Sequence, residues 1–234
     1  MLVTNKRNVP NMNIKLNNIP LIQCESYKYL GIHFDNKLSW TYHIQHVCNK
    51  VSKACGALTK LRHCVPVDIL IDVFNALIHS YLRYGILIWG SASTSILKPL
   101  ETLVNKAIRI ISFAPIGNID LSQIYKDLNL LNLSNVHALE IGKFIFKEKL
   151  GYLPTRIGNY FPSSSNFTTH NYGTRVSSST IPSNINMNYR LKSSEKAVQF
   201  KCDIFWTNLN DSFKSLETVN IFKKQYKKFL ISEQ

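Results

Sequence analysis

Acidic side chains are scarce in this sequence. Its 234 residues hold 14 Asp and Glu against 28 Lys and Arg, for a formal charge of +14. None of the acids lies between Asp35 and Asp68. Polymerase, nuclease and phosphatase chemistry needs carboxylates that converge on metal ions. Here Asp35, Asp68, Asp72, Asp120, Asp127, Asp203 and Asp211 are scattered, with no adjacent pair on a strand. Asp68 and Asp72 stand one helical turn apart, an arrangement that serves a helix start. The GxxxxGK[ST], GxSxG and HExxH patterns are missing too, and no spacing selects a Ser/His/Asp set. On chemistry alone the sequence offers no catalytic residue and no cofactor site.

Ordered cysteine spacing is also lacking. Cys24, Cys48, Cys55, Cys64 and Cys202 are odd in number and form no CxxC pair, which excludes a zinc ribbon and a disulfide framework. His43, His46, Cys48 and Cys55 fit no standard zinc spacing, so they are read as residues on a helix face. The thiols read as reduced and the chain as intracellular. No apolar leader core followed by a small-residue cleavage site opens the sequence. The most apolar run, from Ile69 to Trp89, is broken by Asp72, Asn75, His79 and Arg83, which argues against a membrane span. There is no internal repeat at solenoid periods.

What the sequence does have is a core and a large cationic excess. At 45% hydrophobic residues it can bury a substantial interior. A pI near 9.6 favours an anionic partner, either nucleic acid or an anionic membrane face. Residues 1–36 carry strand signals. Leu2-Val3-Thr4 is strand-like at once, so the chain opens inside a strand and reads as part of something longer. Met12, Ile14 and Leu16 alternate with polar neighbours, the period of a half-buried strand. Asn17-Asn18 is a turn, Ile19 to Ile22 a return strand, and Tyr27 to Phe34 a third strand interrupted by Gly31.

From residue 37 the period becomes helical. Ile44, Val47, Val51, Ala54, Leu58 and Leu61 form one stripe of a helix over 37–63, while His46, Lys50, Lys53 and Lys60 form another. Pro66 and Asp68 open a second helix that Gly85 ends. A third is predicted from a Ser95 cap to Phe113, carrying Lys106 and Arg109. Shorter helical stretches follow at Leu121 to Leu128 and from Ser134, with Val136, Leu139, Ile141, Phe144 and Ile145 as an apolar set. Residues 161–187, rich in Ser, Thr and Asn, read as a linker. Mixed short-strand and apolar signals occupy 188–209. A basic amphipathic helix over about 212–231 closes the chain, with Leu216, Val219, Phe222, Tyr226, Phe229 and Leu230 on one side.

Several of these stretches resemble, in order, the region after the palm active site in reverse transcriptases of LINE-type (non-LTR) retrotransposons, particularly jockey-like elements. Tyr29-Leu30-Gly31 resembles the family's YLG strand. Asp35, Leu38, Trp40 and His43 match D-x-x-L-x-W-x-x-H. Leu61-Arg62 precedes the break at Val65-Pro66, and Tyr84-Gly85 with Trp89-Gly90 match YG-x-x-x-WG. Lys106, Ala107, Arg109 and Ile111 match the end of L-x-x-x-x-x-K-A-x-R-x-I, which starts at Leu100. His170, Tyr172, Thr174 and Arg175 resemble an H-x-Y-x-T-R element.

The resemblance implies an RNA-directed DNA polymerase lineage and a fold that is mainly α with a small N-terminal β-hairpin or sheet. A palm remnant with a primer-grip-like hairpin would occupy 1–36 and a helical thumb-like bundle 37–113. Further helices would follow over 114–160, then the linker at 161–187 and an irregular α+β C-terminal region at 188–234. Tyr29, Leu30, Gly31, His46, Lys50, Lys53, Lys60, Lys106 and Arg109 become the residues expected to meet an RNA template–DNA primer duplex. The catalytic aspartates, the Mg2+ of the intact polymerase, the fingers and the endonuclease domain would belong to a missing upstream part. The other reading is a non-enzymatic helical protein whose basic faces dock a protein partner or an anionic membrane.

Overall fold

The computed structural model describes residues 1–3, 13–114, 120–154 and 198–234. They divide into two compact units, Met1–Leu133 with Gln234, and Ser134–Glu233. The expected linker and the His170–Arg175 element lie outside the described residues.

In the first unit two short antiparallel hairpins precede the helices. Strands β1 (Lys15–Leu16) and β2 (Ile19–Pro20) turn through Asn17 and Asn18, both with positive φ, as asparagine tolerates. Ile14, Leu16 and Ile19 are more than half exposed, so the half-buried strand expected here is instead a solvated ribbon. Residues 1–3 form no strand. Tyr27 to Phe34 is also not one strand. It is the hairpin of β3 (Ser26–Tyr29) and β4 (Ile32–Asp35), turning at Leu30 (φ 46°) and Gly31 (φ 80°). A two-residue turn with both central residues at positive φ matches the right-handed twist of the strands. It sets Tyr29 opposite Ile32 and Lys28 opposite His33.

Helix α1 (Thr41–Leu61) begins four residues later than its pattern implied. The cause is Asp35, whose carboxylate organises the intervening turn. α1 buries Ile44, Val47, Val51, Ala54, Cys55 and Leu58, nearly the predicted stripe. α2 (Val67–Phe74), a π-helical turn (Asn75–His79) and α3 (Ser80–Arg83) follow in unbroken succession. Gly85 at φ 64° ends this run and starts the single turn α4 (Ile86–Trp89). α5 (Thr94–Ile111) starts after Ser93 rather than Ser95, and no side chain caps it. It packs against α1 with Leu100, Val104, Ala107, Ile108 and Ile111 fully buried. Cys55 lies against the Leu103 carbonyl and Arg62 over the Phe113 ring, so contacts advance together and the two helices run in the same direction. α6 (Leu121–Asp127) is capped by the Asp120 carboxylate, which accepts from the Ser122 N–H at 2.9 Å.

Among its described residues the regular elements of the second unit are all helices. It holds most of α7 (Leu133–Lys149), then α8 (Val198–Asn208), α9 (Asp211–Lys214) and α10 (Val219–Ser232). Of the 188–209 stretch with mixed short-strand and apolar signals, 188–197 lie outside the described residues and 198–208 is helix, because the packed neighbours and not β propensity decide such a segment. The expected final helix is two, separated where Thr218 caps α10 by accepting from the Ile221 N–H. α10 buries Phe222, Tyr226 and Leu230; Leu216 is off it and Phe229 is exposed. Phe222 stacks on Phe146 at 4.7 Å between centroids, and α7 buries Phe146 where its pattern pointed to Phe144. A Cβ on Gly142 would stand 2.7 Å from Phe205 and 2.9 Å from Phe222, so glycine sets this close approach.

Candidate nucleic-acid interface

The site is built from the hairpin upward. Asp35, at the end of β4, is only 4% exposed. One of its carboxylate oxygens accepts the N–H groups of Lys37 (3.0 Å) and Ser39 (2.9 Å). The other accepts the Trp40 N–H (2.8 Å) and the Ser39 hydroxyl (3.2 Å). This clamp holds Leu38 (φ 50°) and Trp40 (φ 68°) in the left-handed region, which bulky residues rarely enter. It also aims the chain into α1. Trp40 meets Phe34 edge-on at 5.4 Å.

The hairpin tip docks on the turn between α3 and α4. The Tyr84 hydroxyl donates to the Leu30 carbonyl. A Cβ on Gly31 would lie 3.4 Å from the Tyr84 ring, and one on Gly85 only 2.5 Å from Ile32 Cδ1. The fully buried Trp89 donates from Nε1 to the Tyr84 carbonyl at 2.8 Å. The YLG, D-x-x-L-x-W-x-x-H and YG-x-x-x-WG residues thus converge on one junction between hairpin and helices.

Behind the hairpin lie three imidazoles. His43 is 2% exposed and its ring lies tilted against that of Trp89, 5.6 Å between centroids. Its Nδ1 accepts the His33 backbone N–H at 3.4 Å, which specifies the neutral ring with the proton on Nε2. No described residue accepts from His43 Nε2. Burial, then His33 and His46, push its pKa down to about 4. His46 is half-buried, 5.0 Å from the His33 ring, and its pKa is lowered by burial and by the nearby His33, Lys50 and Lys28. Among the described residues no group of three or more His, Cys, Asp or Glu is arranged to hold a metal ion.

His43 makes the fold acid-sensitive. Unfolding returns it to the ordinary value of 6.5 from about 4. The unfolded chain then binds the extra proton, and stability falls as pH drops below 6.5, levelling off below 4. The expected loss is about 2 kcal/mol at pH 5 relative to pH 7.5. Denaturant titrations across that range, repeated on His43→Gln, check it; a variant as acid-sensitive as the parent would remove His43 as the cause.

Tyr29 and Leu30 are 60% and 71% exposed at the tip, beside Gly31. Lys50, Lys53 and Lys60 are exposed along α1. With His46 they span about 80° of arc at ~100° per residue. Lys106 is exposed on α5 and lies near Cys55. Arg109 is half-buried, with its Nε shut off from solvent and unpartnered among the described residues. The structure therefore brings the hairpin residues together and lines the lysines along one helix, while Arg109 is drawn partly inward. Lys28 and His33 escaped the sequence reading. Once the turn is placed at Leu30-Gly31, their pairing follows from register alone.

No protein-family model and no solved structure matches the chain. Over 105 residues, 44% of the chain, it is 28% identical to the RNA-directed DNA polymerase from mobile element jockey of Drosophila melanogaster. Over 103 residues, 42% of the chain, it is 26% identical to the probable RNA-directed DNA polymerase from transposon X-element of the same species. The chain carries a region related to LINE-type reverse transcriptases. The matched stretches make up only 12% and 11% of those relatives' length. For a reverse-transcriptase-related region, the geometry gives its motif residues a physical role: they anchor a hairpin tip against a helical body. Among the described residues no helix is long and apolar enough to cross a membrane.

Proposed function

We propose that this chain supplies template–primer binding to an RNA-directed DNA polymerase and forms no phosphodiester bond by itself. The observation that carries this reading is the exposed Tyr29-Leu30-Gly31 tip, fastened to Tyr84 and standing on the same unit as the lysine row of α1. A tip held by its backbone leaves its side chains free to meet the primer strand. Lys50, Lys53 and Lys60, with Lys106 and Arg109, track phosphates of the duplex. The Mg2+ ions and their aspartates belong to the palm of the larger polymerase. On the alternative reading, α10 would offer a basic amphipathic face to a membrane. Phe222, Tyr226 and Leu230 are spent on the interior, which leaves Ile221 and Phe229 as its exposed large apolar residues, and so reduced an apolar face favours nucleic acid.

Fluorescence anisotropy with a labelled RNA–DNA hybrid tests the binding. Affinity is expected to fall log-linearly with salt, with a slope of about −3 to −5 for a handful of phosphate contacts. A slope near zero would sink the electrostatic reading. Primer extension with Mg2+ tests the second clause, and template-directed synthesis by this chain would overturn it.

A further inference from the structure

The cross-strand pair Lys28 and His33 sets two basic groups directly opposite each other in β3 and β4. Such pairing destabilises a hairpin when both groups carry charge. Packed against it, α1 presents His46, with Lys50 one turn further along. His33 and His46 are in ring contact at 5.0 Å. Lys28 from β3, His33 from β4 and Lys50 from α1 all work against a proton on His46. The only other charged groups of the hairpin are Glu25 and Asp35. Glu25 lies before β3, about 10 Å along the strand from Lys28. Asp35 has committed both oxygens to the turn at 37–40. Lys28, His33, His46 and Lys50, four basic groups from three elements, thus meet without a carboxylate among them, and the further imidazole beside them, His43, is buried and held neutral. Lys28 and Lys50 are exposed and His46 half-exposed, so the compensating charge has access from solvent.

We infer that Lys28, His46 and Lys50, with the His33 ring against His46 behind them, form a clasp for a backbone phosphate of nucleic acid at the seam between the hairpin and α1. The inference rests on the proposed duplex binding and deepens it: one phosphate ties the tip-bearing hairpin and the lysine-bearing helix to the same strand. A phosphate there reverses the local electrostatics. It offsets the repulsion between Lys28 and Lys50 and favours the protonated His46 that the free protein disfavours. Binding therefore takes up a proton, and affinity rises as pH falls, by at most about tenfold per pH unit for one proton.

The test is anisotropy of the full chain with a labelled 20-base-pair RNA–DNA hybrid between pH 7.5 and 6.0, with circular dichroism confirming that the protein stays folded. Affinity is expected to rise about three- to tenfold towards pH 6.0. Lys28→Ala and Lys50→Ala should each reduce the salt slope by about one, and His46→Gln should abolish the pH effect. Lys53→Ala, on the same helix outside the clasp, should lower the slope yet keep the pH effect. Acid weakens this fold, so tighter binding at lower pH cannot come from unfolding. Duplex binding that is pH-independent, or unchanged by Lys28→Ala and His46→Gln, would overturn the clasp and leave the broader reading standing. A folded chain that binds no duplex at either pH would overturn both. So would binding confined to phosphatidylserine vesicles, which would assign the same basic groups to a lipid surface.

Discussion

Replacing Asp35 by alanine is expected to destabilise the N-terminal unit by about 3–4 kcal/mol, among the larger effects available to one side chain. The substitution removes one buried acceptor from four donors. The Trp40 N–H bond is the buried one, and leaving such a donor unsatisfied costs ~1–3 kcal/mol. The other three regain water in part and together contribute ~1–2 kcal/mol more. Leu38 and Trp40 also lose what holds them at positive φ. Asp35→Asn keeps one acceptor oxygen and about half of the bonds, so its loss should be intermediate. Urea titrations of both variants check the order, and amide exchange at Trp40 should accelerate in Asp35→Ala. A loss below about 1 kcal/mol for alanine would mean that the turn is held by something other than this carboxylate.

Gly85→Ala is expected to cost about 3 kcal/mol for two separable reasons. An L-residue at φ 64° carries ~1–2 kcal/mol of backbone strain. The new Cβ also lands 2.5 Å from Ile32 Cδ1, the hairpin side chain buried on the helical body, and such overpacking adds ~1–3 kcal/mol. Only the second term involves Ile32. In an Ile32→Val background, which lacks Cδ1, Gly85→Ala should therefore be milder by about 1 kcal/mol or more. Denaturation of the four proteins of this cycle measures it. Strict additivity would show that the hairpin tip does not press on Gly85. Because that tip carries Tyr29 and Leu30, Gly85→Ala should also weaken duplex binding while leaving every lysine in place.

The helical stripe of α1 was legible in the sequence because burial follows a 3.6-residue period that no long-range contact has to reveal. Asp68 at a helix start and Gly85 at a helix end were equally local signals. The last helix was less so. A period continues across Leu216, but the break at 215–218 is made by Thr218 capping α10, a choice between two hydrogen-bonding patterns that apolar spacing does not record. The mixed short-strand and apolar signals over 188–209 left the helix at 198–208 undecided for a related reason: short apolar runs carry no period long enough to separate strand from helix.

Composition and local pattern suffice for the basic character, the succession of strands then helices, the apolar faces and the order of motifs resembling LINE-type reverse transcriptases. All of these are properties of neighbours along the chain. Tertiary structure alone decided what the motif residues do. Asp35 reads as an acid and serves as an acceptor for a turn. His43 reads as a residue on a helix face and is a buried neutral ring. Tyr84 reaches back across the chain to fasten Leu30. It also decided where the cations meet: Lys28 joins His46 and Lys50 only because a two-residue turn fixes the register of β3 on β4 and Asp35 sets the angle of α1. Charge is written in composition, but its convergence depends on distances through space, which only the packed chain supplies.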